Sequence, residues 1–314
     1  MRVRDFIGFR RGINFGLWLS QFEKLDAAHF SAYNVERDFE FVARLGFDHV
    51  RLPIDYELFG HGVNGFEYID NAIAWCKKFK LNLILDLHRA EGFSFDTLNT
   101  NTFFTSAELQ EKFFVVWELI AARYKNEKLN ICYELLNEIT DNHNKWNDVV
   151  AACVGRIRKL DKIHTIIVGS NHYNEARHLR DLKIVRDPNV VYTFHCYSPH
   201  VFTHQRAPWS DWKDLKADVL YPSGEFGKRE LEAVVKLAAD FALKNDVRVY
   251  CGEFGVCKFA PDDSARRWFG DLVGIFNKYN IGHAVWNYKE QMFRLQNAQT
   301  GAPNMELFEL FGRG

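Results

Sequence analysis

Apolar residues along this chain alternate between two periodic textures. Short strand-like runs occupy residues 8–15, 47–53, 81–88, 130–138, 164–170, 190–197, 247–254 and 281–288. Between them, apolar positions recur at helical spacing over 36–45, 68–79, 106–124, 145–160, 174–182, 228–244, 263–279 and 305–311. Ser106 stands where a side-chain oxygen can cap a helix start. Regular strand–helix alternation implies a parallel sheet with helices packed outside it. No break in composition marks a linker, so the expectation is one domain over residues 1–314. Eight such units in one domain favour a closed (β/α)8 TIM barrel over an open doubly wound sheet. The open sheet also lacks its usual mark, since no G-x-G-x-x-G follows the first strand.

Composition narrows the function. A hydrophobic fraction of 47% supplies a large core, and a net charge of −1 offers no basic stripe for phosphate backbones. Nucleic acid is therefore not an expected partner. The six cysteines form no C-x-x-C pair, and those inside predicted strands read as small buried thiols. No apolar run approaches the ~20 residues that cross a bilayer. The N-terminus M-R-V-R-D-F-I-G-F has no apolar leader segment. The expectation is a monomer, without cofactor or membrane contact. It would be cytoplasmic as the chain stands, or secreted if a leader has been removed.

In a barrel of this kind the chemistry sits at the C-terminal ends of the strands. Those ends carry Asn14, Arg51, His88, Asn137 with Glu138, Asn171, His195 with Tyr197, Glu253 and Trp286. Such polarity at strand tips has no comfortable packing explanation. Strand parity puts His195 and Tyr197 on one face and Cys196 on the other. The same count pairs Cys251 with Glu253 and places Cys251 inside the barrel. Asn137 and Glu138 are consecutive, so both serve one site only if the chain leaves strand geometry there. Glu134 reads as a buried acid that needs a basic partner, Arg51 or His49.

Taken in chain order, this set resembles glycoside hydrolase family 5, the cellulase family of the retaining barrel clan. Arg51, His88, Asn137-Glu138, His195-x-Tyr197, Glu253 and Trp286 carry the resemblance over almost the whole chain. The opening R-G-I-N-F-G-L-W is similar to the family's first-strand signature, whereas Ile139 stands where many members have Pro. The resemblance implies Glu138 as acid/base and Glu253 as nucleophile of a retaining β-glycosidase. It also implies that Arg51 and Tyr197 keep Glu253 ionised and that Asn137 binds the sugar 2-hydroxyl. His195 would tune Glu138, His88 would contact hydroxyls, and Trp286 would stack under the sugar.

Physical chemistry asks for the same parts. Hydrolysis with retention needs two carboxyl groups roughly 5–5.5 Å apart, one protonated and one ionised. The expected substrate is a β-glucan, in the manner of an endo-β-1,4-glucanase. Mannan, xyloglucan, a β-1,3-glucan or exo action on an oligosaccharide are alternatives that the outer loops decide. Trp18, Trp209 and Trp212 could line outer sugar subsites or pack a loop, and Phe15, Gln205 and Lys289 are open in the same way. His200 and His204 invite a metal, but loop spacing of this kind is not a ligand signature, and no metal is expected. A barrel metallohydrolase using His88, His195 and a Glu lacks an H-x-H on the first strand. A non-catalytic sugar-binding relative would not need both glutamates.

Overall fold

Eight parallel strands pair in chain order and close into a barrel. They are β1 (Arg11–Asn14), β2 (His49–Asp55), β3 (Asn82–Arg89) and β4 (Ile131–Glu134). The circuit continues through β5 (Thr165–Gly169), β6 (Val190–His195), β7 (Arg248–Phe254) and β8 (Gly282–Val285), which pairs back onto β1. The computed structural model describes residues 2–60, 62–96, 101–289, 292–293, 295 and 304–312. Helices Glu36–Arg44, Gly65–Phe79, Ala107–Tyr124, Trp146–Leu160, Lys228–Asn245 and Asp262–Tyr279 cover the outside. Ser106 caps the third of these, its Oγ accepting from the Leu109 amide at 3.3 Å. No helix among the described residues is long and apolar enough to cross a membrane.

Strand parity sorts the side chains into two cores. Val50, Leu52 and Ile54 of β2 and Leu83, Leu85 and Leu87 of β3 join the large core shared with the helices. Ile84, Cys132, Ile167, Val191, Tyr250 and Ala284 form a separate cluster inside the barrel with Phe6 and Phe9. Two residues further along the strands, the same inward faces carry Asn14, Arg51, Asp86 and Glu134, all buried. An apolar floor thus supports a buried polar layer.

Three expectations change. Cys251 belongs to the outer core, not the barrel interior. An irregularity in β7 between Cys251 and Phe254 breaks the alternation, so Tyr250 faces inward below it and Glu253 reaches the site above it. The strand expected over 130–138 ends at Glu134, and the following residues leave regular geometry. The helix expected over 174–182 is a 3-10 turn, Ala176–Asp181, preceded by three consecutive left-handed residues, His172, Tyr173 and Asn174. Two tethers hold that segment: the Asn171 side chain exchanges hydrogen bonds with the Asp141 backbone, and the Tyr173 backbone amide donates to the Ile139 carbonyl. All six cysteines are buried.

Candidate active site

Arg51 is the centre of the polar layer. Its guanidinium is fully buried and donates to residues from four other strands or their ends. Nε and Nη2 fork onto Glu134 at 2.8 and 3.0 Å, the fixed planar geometry that suits arginine. Nη1 donates to Asn14 Oδ1 at 2.9 Å and to Glu253 Oε1 at 2.7 Å. Nη2 also reaches Asn137 Oδ1 at 2.9 Å and Asp86 Oδ2 at 3.0 Å. Glu134 therefore finds its cation in Arg51, while His49 pairs with Asp48 and Tyr250 on the floor. Burial pushes both Asp86 and Glu134 up to about 7, with the Arg51 charge opposing it.

Asn14 anchors the arginine from below. Its amide nitrogen donates to the Gly252 carbonyl at 3.0 Å and faces the carbonyls of Ala284 and Val285. Asp86 was not singled out from the sequence, although it lies two residues before His88 on one strand and so shares its face. Its Oδ2 lies 2.6 Å from His88 Nδ1, which links Arg51 to that histidine. Burial drives the His88 imidazole down to about 3, so it is neutral. The His88 and Trp286 rings lie parallel, 5.7 Å apart between centroids.

Beyond Glu134 the chain bends inward. The Asn137 amide donates to the Leu87 carbonyl of β3, and Glu138 takes a left-handed backbone with φ of 40°. That departure brings two consecutive side chains into one site. Glu138 Oε1 lies 2.9 Å from His195 Nδ1, and its carboxyl is 14% exposed, open to the cleft. Opposite it, Glu253 is held at both oxygens, Oε1 by Arg51 and Oε2 by the Tyr197 hydroxyl at 2.8 Å. One carboxylate oxygen of each glutamate, with a His195 ring nitrogen, falls within a mutual 4.8 Å.

The electrostatics separate the two acids. Burial and the neighbouring Glu253 charge raise the Glu138 carboxyl well above its ordinary range. Burial raises Glu253 too, but the Arg51 charge and the Tyr197 hydroxyl pull it back. A proton shared between them settles on Glu138, because the cation and the donors face Glu253. Glu138, His195 and Glu253 could each offer one ligand atom to an ion, but both Glu253 oxygens already accept a hydrogen bond, from Arg51 and from Tyr197, and an ion would have to share an oxygen with one of them. His200 and His204 lie 5.4 Å apart between ring centroids, and burial holds His204 down to about 3. His204 Nδ1 is occupied by the Thr203 hydroxyl.

The outer aromatics divide. Trp209 is 59% exposed, 6.4 Å from the Phe293 ring, which in turn lies 5.8 Å from Tyr197. Trp212 is half-buried against His200. Trp18 is a correction: its ring is 1% exposed, packs on Phe39 and Trp75, and spends its N–H on the Phe30 carbonyl. No sugar can stack on it. Trp18→Ala should cost about 3–5 kcal/mol of stability in urea unfolding and leave KM for oligosaccharides unchanged. A raised KM at native stability would return Trp18 to the cleft.

Phe15, Gln205 and Lys289 are structural in the same way. Phe15 is core, Gln205 ties Phe202 to Val219, and Lys289 bonds Asp38 and the Tyr33 carbonyl. Asn171, expected near the strand ends, fastens the β4 and β5 loops to each other. Phe293 and Asn174 were missed. Phe293 follows the last strand without periodicity, and Asn174 has no motif to mark it.

Comparison with known proteins gives the same family. A family model described as cellulase (glycosyl hydrolase family 5) matches residues 13–292. Endoglucanase C of Acetivibrio thermocellus is 35% identical, covering 98% of this chain and 99% of its own length. Cellodextrinase A of Ruminococcus flavefaciens is 38% identical over 87% of this chain and 84% of its own. Thermotoga maritima Cel5A in complex with cellobiose is similar in structure, with a TM-score of 0.82 at 26% identity over 96% of this chain and 97% of that one. The same enzyme in complex with mannotriose gives a TM-score of 0.82 at 25% identity over 96% and 97%. With its strand-end residues in the family's order, its barrel closed and its relatives matched along nearly their full length, this chain is a cellulase-like glycoside hydrolase that belongs to glycosyl hydrolase family 5.

Proposed function

We propose that the enzyme cleaves β-1,4-linked glucan or its oligosaccharides with retention, by double displacement across the Glu138–Glu253 pair. The proximity of the two carboxylates carries this reading: with one oxygen of each within 4.8 Å of the other, the pair suits the roughly 5–5.5 Å spacing of retaining sites rather than the roughly 6.5–9.5 Å of inverting ones. Glu253 attacks the anomeric carbon as the glycosidic bond breaks, and Glu138 gives its proton to the leaving oxygen. Water then enters the vacated side, Glu138 takes its proton, and Glu253 leaves the sugar. Arg51 and Tyr197 support Glu253 as the nucleophile by favouring its ionised form. Asn137, its Oδ1 held by Arg51, keeps its amide N–H for the sugar 2-hydroxyl. Trp286 provides the flat face at the cleavage point, beside His88. Trp209 and Trp212 offer further aromatic surface on the loop after β6.

Proton NMR of the first product should show the β-anomer, with the α-anomer appearing only by later mutarotation. Early α-product would overturn the double displacement. The cellulosic names of the relatives support glucan, and Cel5A with mannotriose supports a test of mannan alongside it. A polysaccharide and oligosaccharide panel with product sizing distinguishes those substrates, and endo from exo action.

A further inference from the structure

His195 reaches Glu138 with one ring nitrogen, and its other nitrogen has an unassigned partner. Asn174, on the left-handed turn after β5, is fully buried and directs Nδ2 at His195 Nε2 from 3.3 Å. The orientation of that amide follows from what lies behind it. Its Oδ1 stands 2.4 Å from where a Cβ on Gly169 would be, so it faces a Gly169 Cα–H. A carbonyl oxygen tolerates that neighbour as a weak acceptor, whereas an NH2 group there would face a hydrogen. Oδ1 has no other partner among the described residues. On the β7 side a Cβ at Gly252 would lie 3.0 Å from Nε2, so the backbone closes that flank of the ring.

We infer that Asn174 is a positioning residue: by donating to Nε2 it fixes the His195 tautomer with the proton on Nδ1, and so aims the proton of Glu138 at the leaving group. The inference rests on the acid/base reading of Glu138. With Nδ1–H donating to Oε1, the carboxyl proton of Glu138 has no acceptor in His195 and stays on the other oxygen, available to the glycosidic bond. In the opposite tautomer Nδ1 is an acceptor and draws the Glu138 O–H to itself.

The backbone fits this task. His172, Tyr173 and Asn174 have φ of 52°, 57° and 56°, a run that non-glycine residues rarely adopt. The run is tied to the segment bearing Glu138 through Tyr173 N to Ile139 O and the Asn171–Asp141 pair. Asn174 and Glu138 are therefore held as one unit around the histidine.

The groups that face His195 are Glu138 after β4, Glu253 on β7 at 3.7 Å, Arg51 on β2 and His88 on β3. Burial, with the Arg51 charge, holds the imidazole well below its ordinary range, so the ring is neutral and has a tautomer to select.

Nitrogen-15 NMR of histidine-labelled enzyme reads this directly. His195 should show a protonated Nδ1 and a bare Nε2, and the reverse pattern would overturn the inference in the unaltered enzyme. Asn174→Asp keeps the left-handed backbone accessible but presents an acceptor, which should move the proton to Nε2 in the same spectrum. Its kcat on a cello-oligosaccharide should fall about 10–100-fold, a part of what general acid catalysis contributes. On a dinitrophenyl β-cellobioside, whose leaving group needs no proton, kcat/KM, which reads the bond-breaking step before Glu138 acts as base, should fall by under about threefold. Gly169→Ala, which displaces the amide without touching the site, should show the same selectivity. Parallel losses on both substrates, or none, would reduce Asn174 to packing. If Glu138→Ala lacks this leaving-group dependence, the acid/base reading fails, and the spectrum still decides the tautomer.

Discussion

Glu253→Gln should reduce turnover by roughly 10⁴–10⁶-fold, the scale seen when a nucleophile acting within a catalytic unit is removed. The amide keeps the shape of the carboxylate but cannot attack the anomeric carbon. Arg51 retains Asp86, Glu134, Asn14 and Asn137 after the change, so the buried layer keeps its cation paired. Folding and oligosaccharide binding should therefore survive, which unfolding curves and calorimetric titration check. Glu253→Ala adds a stereochemical readout. Azide entering the vacated face should restore turnover of an activated glycoside and give the α-glycosyl azide. Wild-type turnover in Glu253→Gln, or a β-azide from Glu253→Ala, would remove Glu253 from the nucleophile's role.

Arg51→Met should be damaging in a different way. It strips the only cation that an ion pair assigns to Asp86, Glu134 and Glu253 among the described residues, apart from the neutral histidines. Breaking a buried pair by removing one partner costs about 3–5 kcal/mol, because the charge left behind is uncompensated. The carboxylates would relieve this by taking up protons, and a protonated Glu253 is not a nucleophile. Loss of activity and loss of stability should thus appear together, unlike in Glu253→Gln. Arg51→Lys should rescue little, because one ammonium cannot reproduce contacts to Asn14, Asp86, Glu134, Asn137 and Glu253 from a planar fork. Activity retained near neutral pH in Arg51→Met would show that Glu253 does not depend on it for its charge.

Much of this arrangement was legible in one dimension because barrel strands are regular. A period of two and a fixed direction put His88 and His195 at strand ends on the site face, and both are found there, whereas Arg51 shares that face from lower in β2 and Glu253 reaches it only past the irregularity in β7. That Glu134 needs a basic partner was foreseeable as well, since a buried acid needs a cation, but the choice of Arg51 over His49 was not. Where regularity stops, so does legibility. Cys251 was misplaced because the irregularity in β7 carries no residue signature. Trp18 was open because a tryptophan after a strand looks the same on a cleft wall and in a core.

What the sequence determined by itself is periodic and local: the eight alternating units, the closed barrel they imply, and the order of polar strand ends. Tertiary structure decided what depends on distance across the barrel. It bent the chain after Glu134 so that Asn137 and Glu138 face one cleft, and it brought that cleft within 4.8 Å of Glu253. It also set Asn174 behind His195 from a turn with no motif. Such contacts join residues dozens to hundreds of positions apart, and their energies depend on separation and burial rather than on neighbours in the chain.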